Sequence, residues 1–274
     1  MNLSALARVS DMLAATRSRS EKVRLLSQCL RELQPHERET GVAWLSGIVP
    51  HGRLGLGPAA IYELRGIAPA HEPTLTLTGV QQRLDGLRSI SGTGSANRRR
   101  AVLVELFGLA IGAEQNFLGR LLLGELRQGA LEGVMADAIA AAADLPPADV
   151  RRAIMLAGDI APVAVAALAE GNAGLAQFRL ELYKPVSPML ASPTQDVASA
   201  LAALTTAVFE YKLDGARVQV HKGDAGVRIY SRTGRDVTDS LPEISAAIEE
   251  LPELIEHICE ENNKAPEQIG GTAR

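Results

Sequence analysis

The segment Glu210-Tyr211-Lys212-Leu213-Asp214-Gly215-Ala216-Arg217 holds the residues best suited to covalent chemistry. A lysine amine can act as a nucleophile and carry a covalent intermediate, once it has lost its proton. Free lysine is protonated at neutral pH, and nearby cations together with partial burial lower its pKa. Arg217 supplies one such cation, and Arg232 within Tyr230-Ser231-Arg232-Thr233-Gly234 supplies a second. Both are also suited to stabilising charge on phosphate. An exposed lysine beside a glycine turn is the plain alternative, but it leaves the ordered set of Glu210, Lys212, Asp214, Gly215, Arg217 and Arg232 unexplained.

The elements that must position these residues are strands. Thr206–Lys212, Ala216–Lys222 and Val227–Arg232 show the alternation expected of strands. Gly223-Asp224-Ala225-Gly226 is predicted to be the turn of a hairpin between the last two. Lys212 thus ends one strand, and Arg217 begins the next. Val218 and Val220 are expected on one face, with Arg217, Gln219 and His221 on the other. Lys184-Pro185-Val186-Ser187-Pro188 reads as an extended linker entering this region. Ser240–Asn263 reads as one or two acidic amphipathic helices.

The first 180 residues have a different period, and the chain is expected to be mainly α. Ser18-Arg19-Ser20-Glu21 is a capping box followed by Val23, Leu25, Leu26 and Leu30 at helical spacing. Pro35 can open the next helix, and Gly47 can mark its end. Thr78-Gly79-Val80-Gln81 is a second capping box. Further helices are expected over Arg98–Ile111, Ala113–Arg127 and Leu131–Ala143, then from Pro147 to Gly158, and after Asp159 to Gly171. Gly55-Leu56-Gly57-Pro58 follows no strand, so it reads as a turn and not a dinucleotide loop. Both composition and period place a domain boundary near residue 180, giving domains 1–180 and 181–274.

Charge follows the same division. The net charge is −4, but residues 1–180 carry 19 basic and 17 acidic side chains against 9 and 15 in residues 181–274. In the first part 18 of the 19 cations are arginine, the better residue for forked contacts with phosphate. Cys29 and Cys259 have no partner at metal-ligand spacing and are expected to be free thiols in a reducing cytoplasm. The apolar run from Ala153 to Leu168 is broken by Asp159 and Pro162, so no membrane span is expected there.

Two segments of the helical half point toward an anion. Ser91-Gly92-Thr93-Gly94-Ser95 leads into Asn97-Arg98-Arg99-Arg100 and a helix. Glycines allow close approach of backbone amides to a phosphate, a helix N-terminus attracts anions, and the arginines add charge. The second segment runs from Glu114 to Gly129 and includes Gly124-Glu125-Leu126-Arg127-Gln128-Gly129. Phe117, Leu121 and Leu122 are expected to be packing residues, whereas Arg127 and Gly129 are candidates for contact.

These motifs together resemble the ATP-dependent DNA ligases. Covalent nucleotidyltransferases carry Lys-x-Asp-Gly at a strand junction, and DNA ligases extend it to Glu-x-Lys-x-Asp-Gly-x-Arg, matched here at every position from Glu210 to Arg217. Tyr230–Gly234 resembles the family's next motif, and Lys184–Ala191 resembles its entry into the same domain. The Gly-rich loop and the Gly-Glu-Leu-Arg-x-Gly segment resemble the family's helical DNA-binding domain. The resemblance implies Lys212 as the nucleophile that becomes adenylylated, with Glu210 accepting a hydrogen bond from the adenine amino group. It implies that Arg217 and Arg232 contact the nucleotide's sugar and phosphate side, that Asp214 orients the site, and that Gly215 permits a tight turn. Gly92, Thr93, Gly94, Ser95, Arg98, Arg127 and Gly129 are implied DNA contacts. ATP and Mg²⁺ are the implied cofactors, nicked double-stranded DNA the sequence-independent partner, and a cytoplasmic monomer the expected form.

Resemblance fades after about Asp239. The family's later Asp-Gly-Glu strand, its Glu-Gly motif, the lysine pair that binds triphosphate and the OB-fold are not found in this sequence. The expected architecture is therefore a helical DNA-binding domain followed by an incomplete α+β nucleotidyltransferase (ATP-grasp-like ligase) domain. Two readings from other classes compete with a ligase. One is a non-catalytic DNA-binding module with a vestigial nucleotide motif. The other is a helical interaction protein.

Overall fold

The computed structural model describes residues 1–48, 58–126, 128–129, 132–187, 194–204, 206–208 and 215–251. The chain divides into two compact units, Met1–Phe178 and Arg179–Arg274.

The first unit is built of helices. It opens with α1 (Leu3–Ala15), α2 (Arg19–Glu32) and α3 (Arg38–Leu45). Ser18 caps α2 by accepting a hydrogen bond from the Glu21 amide, as its capping box predicts. Pro35 opens a short 3₁₀ turn that feeds α3, and Gly47 follows it with φ +78°. Next come α4 (Pro58–Glu63), α5 (Leu77–Ser89), α6 (Ser95–Leu109) and α7 (Gly112–Leu123). The cap of α5 is Thr76, which accepts from the Gly79 amide, and not Thr78. Thr78, with Gln81 three residues on, is the residue the capping-box pattern selects, but the chain is already helical from Leu77. Gly124, at φ +70°, ends α7 three residues before the expected Arg127. The unit closes with α8 (Glu132–Ala143), α9 (Pro147–Ala157), α10 (Ile160–Glu170) and α11 (Asn172–Leu175).

Leucine- and alanine-rich faces meet in one continuous core. The main pairings are α2 with α8, α3 with α10, α8 with α9 and α1 with α7. Trp44 and Phe117 lie fully buried with ring centroids 6.5 Å apart, and Phe107 is buried in the same cluster. Leu121 is buried and Leu122 half-buried, so these positions are packing residues as expected. Arg31 donates to the carbonyls of Ala141 and Ala142, satisfying the C-terminal end of α8. Cys29 is a free, buried thiol that burial, aided by nearby Glu32, pushes up to about 12, so it is inert at neutral pH. Cys259 lies outside the described residues.

In the second unit, α12 (Val197–Ala203) precedes an antiparallel hairpin of β1 (Val218–Gly223) and β2 (Gly226–Ser231), followed by α13 (Pro242–Glu249). The ladder runs from Val218 opposite Ser231 to Gly223 opposite Gly226, so the turn is Asp224-Ala225 as predicted. The expected strand Thr206–Lys212 is not borne out over 206–208, which are irregular, and its remainder from 209 lies outside the described residues. The expected acidic helix beyond Ser240 is seen over Pro242–Glu249, and residues from 252 onward lie outside the described residues.

Burial in β1 does not follow its two faces: Val218, Gln219 and His221 are half-buried, while Arg217 is exposed and Val220 is 38% exposed. Gln219 and His221 are covered by the entry segment, which reads as a linker in sequence but bonds to these two side chains. The Val186 amide donates to Gln219 Oε1 at 3.0 Å, and Gln219 Nε2 donates back to the Val186 carbonyl at 2.6 Å. The Tyr183 amide donates to His221 Nδ1 at 2.9 Å, and Tyr230 donates from its hydroxyl to the Tyr183 carbonyl at 2.7 Å. Tyr183 in turn donates its hydroxyl to the Gly226 carbonyl. A two-stranded hairpin alone is marginal, and here a third segment completes it through side chains.

Candidate functional site

In the first unit, the Gly-rich loop joins α5 to α6. Gly92 and Gly94 adopt φ +80° and +74°, conformations that favour glycine, and a Cβ at either would meet open space. The strain there is conformational, with no neighbour crowding the loop. Gly94 precedes α6, and no side chain caps this helix. The Ser95 amide donates to the Gly92 carbonyl at 3.1 Å, so the turn closes on itself. Gly92, Thr93 and Gly94 are exposed and Ser95 is half-buried.

The three arginines that follow do different work. Arg98 is exposed and donates to the Ser91 carbonyl at 2.6 Å, which folds its side chain back along the loop. It forms no ion pair among the described residues. Arg99 is half-buried and donates to the carbonyls of Leu87 and Ile90, tying off the end of α5. Arg100 pairs with Glu63 at 2.8 Å. Of the run, Arg98 is therefore the cation most available to an external anion.

The Gly124–Gly129 segment is anchored from below. Leu126 is buried in the core. Gln128 is 4% exposed and fully engaged: its Oε1 accepts from Ser10 at 2.5 Å, its Nε2 donates to the Leu45 carbonyl, and its own carbonyl accepts from Lys22 Nζ at 2.7 Å. Gly129 is exposed with φ +63°, and a Cβ there would lie 2.5 Å from Lys22 Nζ. Arg127 lies outside the described residues. Ser10, Lys22 and Gln128 were not distinguished by sequence reasoning. The available signal was that Lys22 is the only lysine among residues 1–180.

In the second unit, the hairpin register governs the arrangement. Val218 pairs with Ser231, so Arg217 and Arg232 flank the last ladder pair at the end opposite the turn. Both are exposed, and neither forms an ion pair among the described residues. Arg232 sits in a tight turn in which the Gly234 amide donates to the Ser231 carbonyl at 2.9 Å, and the Ser231 amide donates to the Arg235 carbonyl at 2.8 Å. Gly215 is exposed, has no left-handed φ and has no neighbour that a Cβ would meet, so no tight-turn requirement is seen at this residue. Glu210, Lys212 and Asp214 lie outside the described residues. Burial lowers the pKa of His221, favouring the neutral ring whose Nδ1 accepts from Tyr183. Among the described residues no group of three or more His, Cys, Asp or Glu side chains is placed to hold a metal ion.

Comparison with known proteins gives the same two parts. Residues 59–140 match the family model for the DNA ligase N terminus, and residues 188–259 match that for the ATP dependent DNA ligase domain. A "Probable DNA ligase" of Anaeromyxobacter sp. (strain Fw109-5) is 52% identical over 253 residues, covering 92% of this chain and 49% of that protein. The chain is a relative of the ATP-dependent DNA ligases. Ligase relatives from Streptomyces griseus and Sorangium cellulosum, both named "Probable DNA ligase", are 48% and 46% identical over 92% of this chain, which covers 49% and 48% of them. The chain thus spans about half the length of the curated ligases it matches. The N-terminal ligase match contains the Gly-rich loop and Gln128, and the second contains Lys212, Arg217 and Arg232. No helix among the described residues is long and apolar enough to cross a membrane.

Proposed function

We propose that this chain supplies the DNA-gripping part and the opening of the nucleotidyltransferase part of an ATP-dependent DNA ligase, which seals nicks in duplex DNA during replication, repair and recombination. Residues 1–180 hold the duplex through its phosphates without reading sequence, since a nick can lie anywhere. Gly92, Thr93 and Gly94 offer backbone amides beside Ser95 at the start of α6, while Arg98, Arg127 and Gly129 add further contacts.

Residues 181–274 begin the catalytic domain. The Lys212 amine attacks the α-phosphorus of ATP; the new N–P bond forms as the bond to pyrophosphate breaks, leaving lysyl-AMP. Arg217 and Arg232 stabilise phosphate charge, Glu210 recognises the adenine and Asp214 orients the site. Bound Mg²⁺ would neutralise the triphosphate. The observation that carries this reading is the hairpin register, which brings Arg217 of the Lys212 motif and Arg232 to one end of the ladder as exposed guanidiniums with no ion pair among the described residues. Such a pair suits a polyanionic nucleotide. The expected form is a cytoplasmic monomer.

The test is transfer of label from α-labelled ATP to protein, followed by denaturing gel. A protein extended with the rest of a relative's nucleotidyltransferase domain and its OB-fold should become labelled, and Lys212→Ala should remain unlabelled. An extended Lys212→Ala protein that still forms covalent AMP would remove Lys212 from this role. A second reading, a DNA-binding module with a vestigial nucleotide motif, draws on the independent core of the first unit. Duplex binding without any labelling of the extended protein would favour it.

A further inference from the structure

We propose that Ser10, Lys22 and Gln128 form a clamp that positions the backbone of Gln128 and Gly129 against DNA, making them positioning residues for substrate binding. The proposal rests on the DNA-binding reading of the helical unit.

Three separate helices converge on one glutamine. Ser10 of α1 donates to Gln128 Oε1, Gln128 Nε2 donates to the Leu45 carbonyl at the end of α3, and Lys22 of α2 donates to the Gln128 carbonyl. These partners are 118, 83 and 106 residues distant in sequence. Burying a glutamine amide is unfavourable unless its groups are paired, and a leucine would fill an apolar site more readily. What the amide adds is direction. Its oxygen and nitrogen have different partners on different helices, so the side chain fits in one orientation and fixes its own backbone.

Lys22 extends the control by one residue. Its ammonium lies 2.5 Å from the place a Cβ of Gly129 would take, and Gly129 holds φ +63°. Glycine supplies the left-handed backbone and leaves the amine uncrowded. Lys22 is half-buried and spends a hydrogen bond on a carbonyl, although arginine is the cation used elsewhere in this half of the chain. A compact ammonium serves as a point donor to a single carbonyl, where a guanidinium is a planar fork. Buried Ser10 and Gln128 cannot reach a ligand themselves. Gly129, the exposed end of the clamped stretch, is the residue they present.

The experiment is DNA binding of the full chain. Anisotropy of a labelled nicked duplex is measured across a salt series for wild type, Ser10→Ala and Lys22→Met, with the single tryptophan, Trp44, reporting that the helical unit stays folded. Ser10→Ala should weaken binding by roughly threefold or more while leaving the salt slope unchanged, because no cation is removed. Lys22→Met should weaken binding to a similar extent, also with an unchanged slope, because its ammonium is held on the Gln128 carbonyl. Lys22→Met also serves if Ser10→Ala disturbs folding. Folded variants that bind like wild type, or a salt slope lowered by about one in Lys22→Met, the mark of a direct phosphate contact, would overturn the clamp. Absence of wild-type binding at low salt would instead overturn the DNA-binding reading beneath it.

Discussion

The two units solve the problem of local order by different means. The helical unit encloses Trp44, Phe107, Phe117 and a large set of leucines in one core, and its polar groups serve as caps and clamps around that core. In the second unit the buried apolar side chains among the described residues are Val227, Ile229 and Tyr230. There Tyr183, Gln219, His221 and Tyr230 do through directed hydrogen bonds what apolar area does in the first unit. Apolar burial is non-directional and tolerant, whereas a hydrogen-bonded seam depends on geometry and protonation. The first unit should therefore respond to lost volume, and the second to lost or added protons.

The largest effect expected lies in catalysis. A polypeptide of these 274 residues alone should seal no nicks and form lysyl-AMP slowly or not at all, whereas the extended protein should do both. Each missing charge-stabilising group contributes several kcal/mol, and about 1.4 kcal/mol is tenfold in rate, so the deficit should be many powers of ten. Robust sealing by the 274-residue polypeptide, measured on a nicked fluorescent duplex, would erase the contrast between a self-sufficient first unit and a dependent second one.

Phe117→Ala should come next in size. Deleting this buried ring beside Trp44 should destabilise the helical unit by about 3–5 kcal/mol. Denaturation followed by the fluorescence of Trp44 reads that unit alone, since Trp44 is the only tryptophan in the chain. The second unit should keep its resistance to protease in the same variant. If both units lost protection together, they would be one cooperative body.

Arg98→Ala should weaken duplex binding roughly threefold to tenfold, equally for unrelated sequences, and lower the salt slope by about one. Arg99→Ala should act otherwise, because Arg99 ties the end of α5 and is half-buried. It should lower stability more than it changes the salt slope. Equal salt-slope losses for the two would remove the distinction between them.

The smallest effect expected is on pH dependence, where the two units should move in opposite directions. Burial depresses the pKa of His221 in the folded chain, so its stabilising contribution is present above the unfolded value near 6.5 and is lost as pH falls through the folded value. Acidification from neutral pH to below the ordinary histidine range should loosen the seam at Tyr183, read as faster chymotryptic cleavage after Tyr183 relative to a peptide control, and His221→Gln should flatten this response. Glu114 in the first unit behaves oppositely. Burial raises its pKa, opposed by the amides of Ile111 and Ser4, so its contribution is present below the unfolded value and is lost as pH rises through the folded one. Glu114→Gln should remove that component from Trp44-monitored melts.

Much was determined by sequence alone. Helical periodicity, the Ser18 cap, Pro35, Gly158 and Asp159 mark helices locally, because caps and breakers act on the backbone within a turn or so. The Asp224-Ala225 turn between alternating strands was legible for the same reason. The order of Glu210, Lys212, Asp214, Gly215, Arg217 and Arg232 likewise pointed to the ligase family without coordinates, and the matching family model spans these residues. Other features were decided only by the tertiary structure. The capping-box pattern pointed to Thr78, but the cap is Thr76, where the chain enters α5. Alternation showed that β1 has two faces, but that Gln219 and His221 are covered depended on where residues 183–186 return. Arg98, Arg99 and Arg100 are identical in type and adjacent, yet one lies along a loop, one ties off a helix and one joins an ion pair. Gln128 looks like any polar residue until three distant helices are brought to it. Local signals specify the backbone's own conformation, whereas the role of a polar side chain depends on partners that only chain closure supplies.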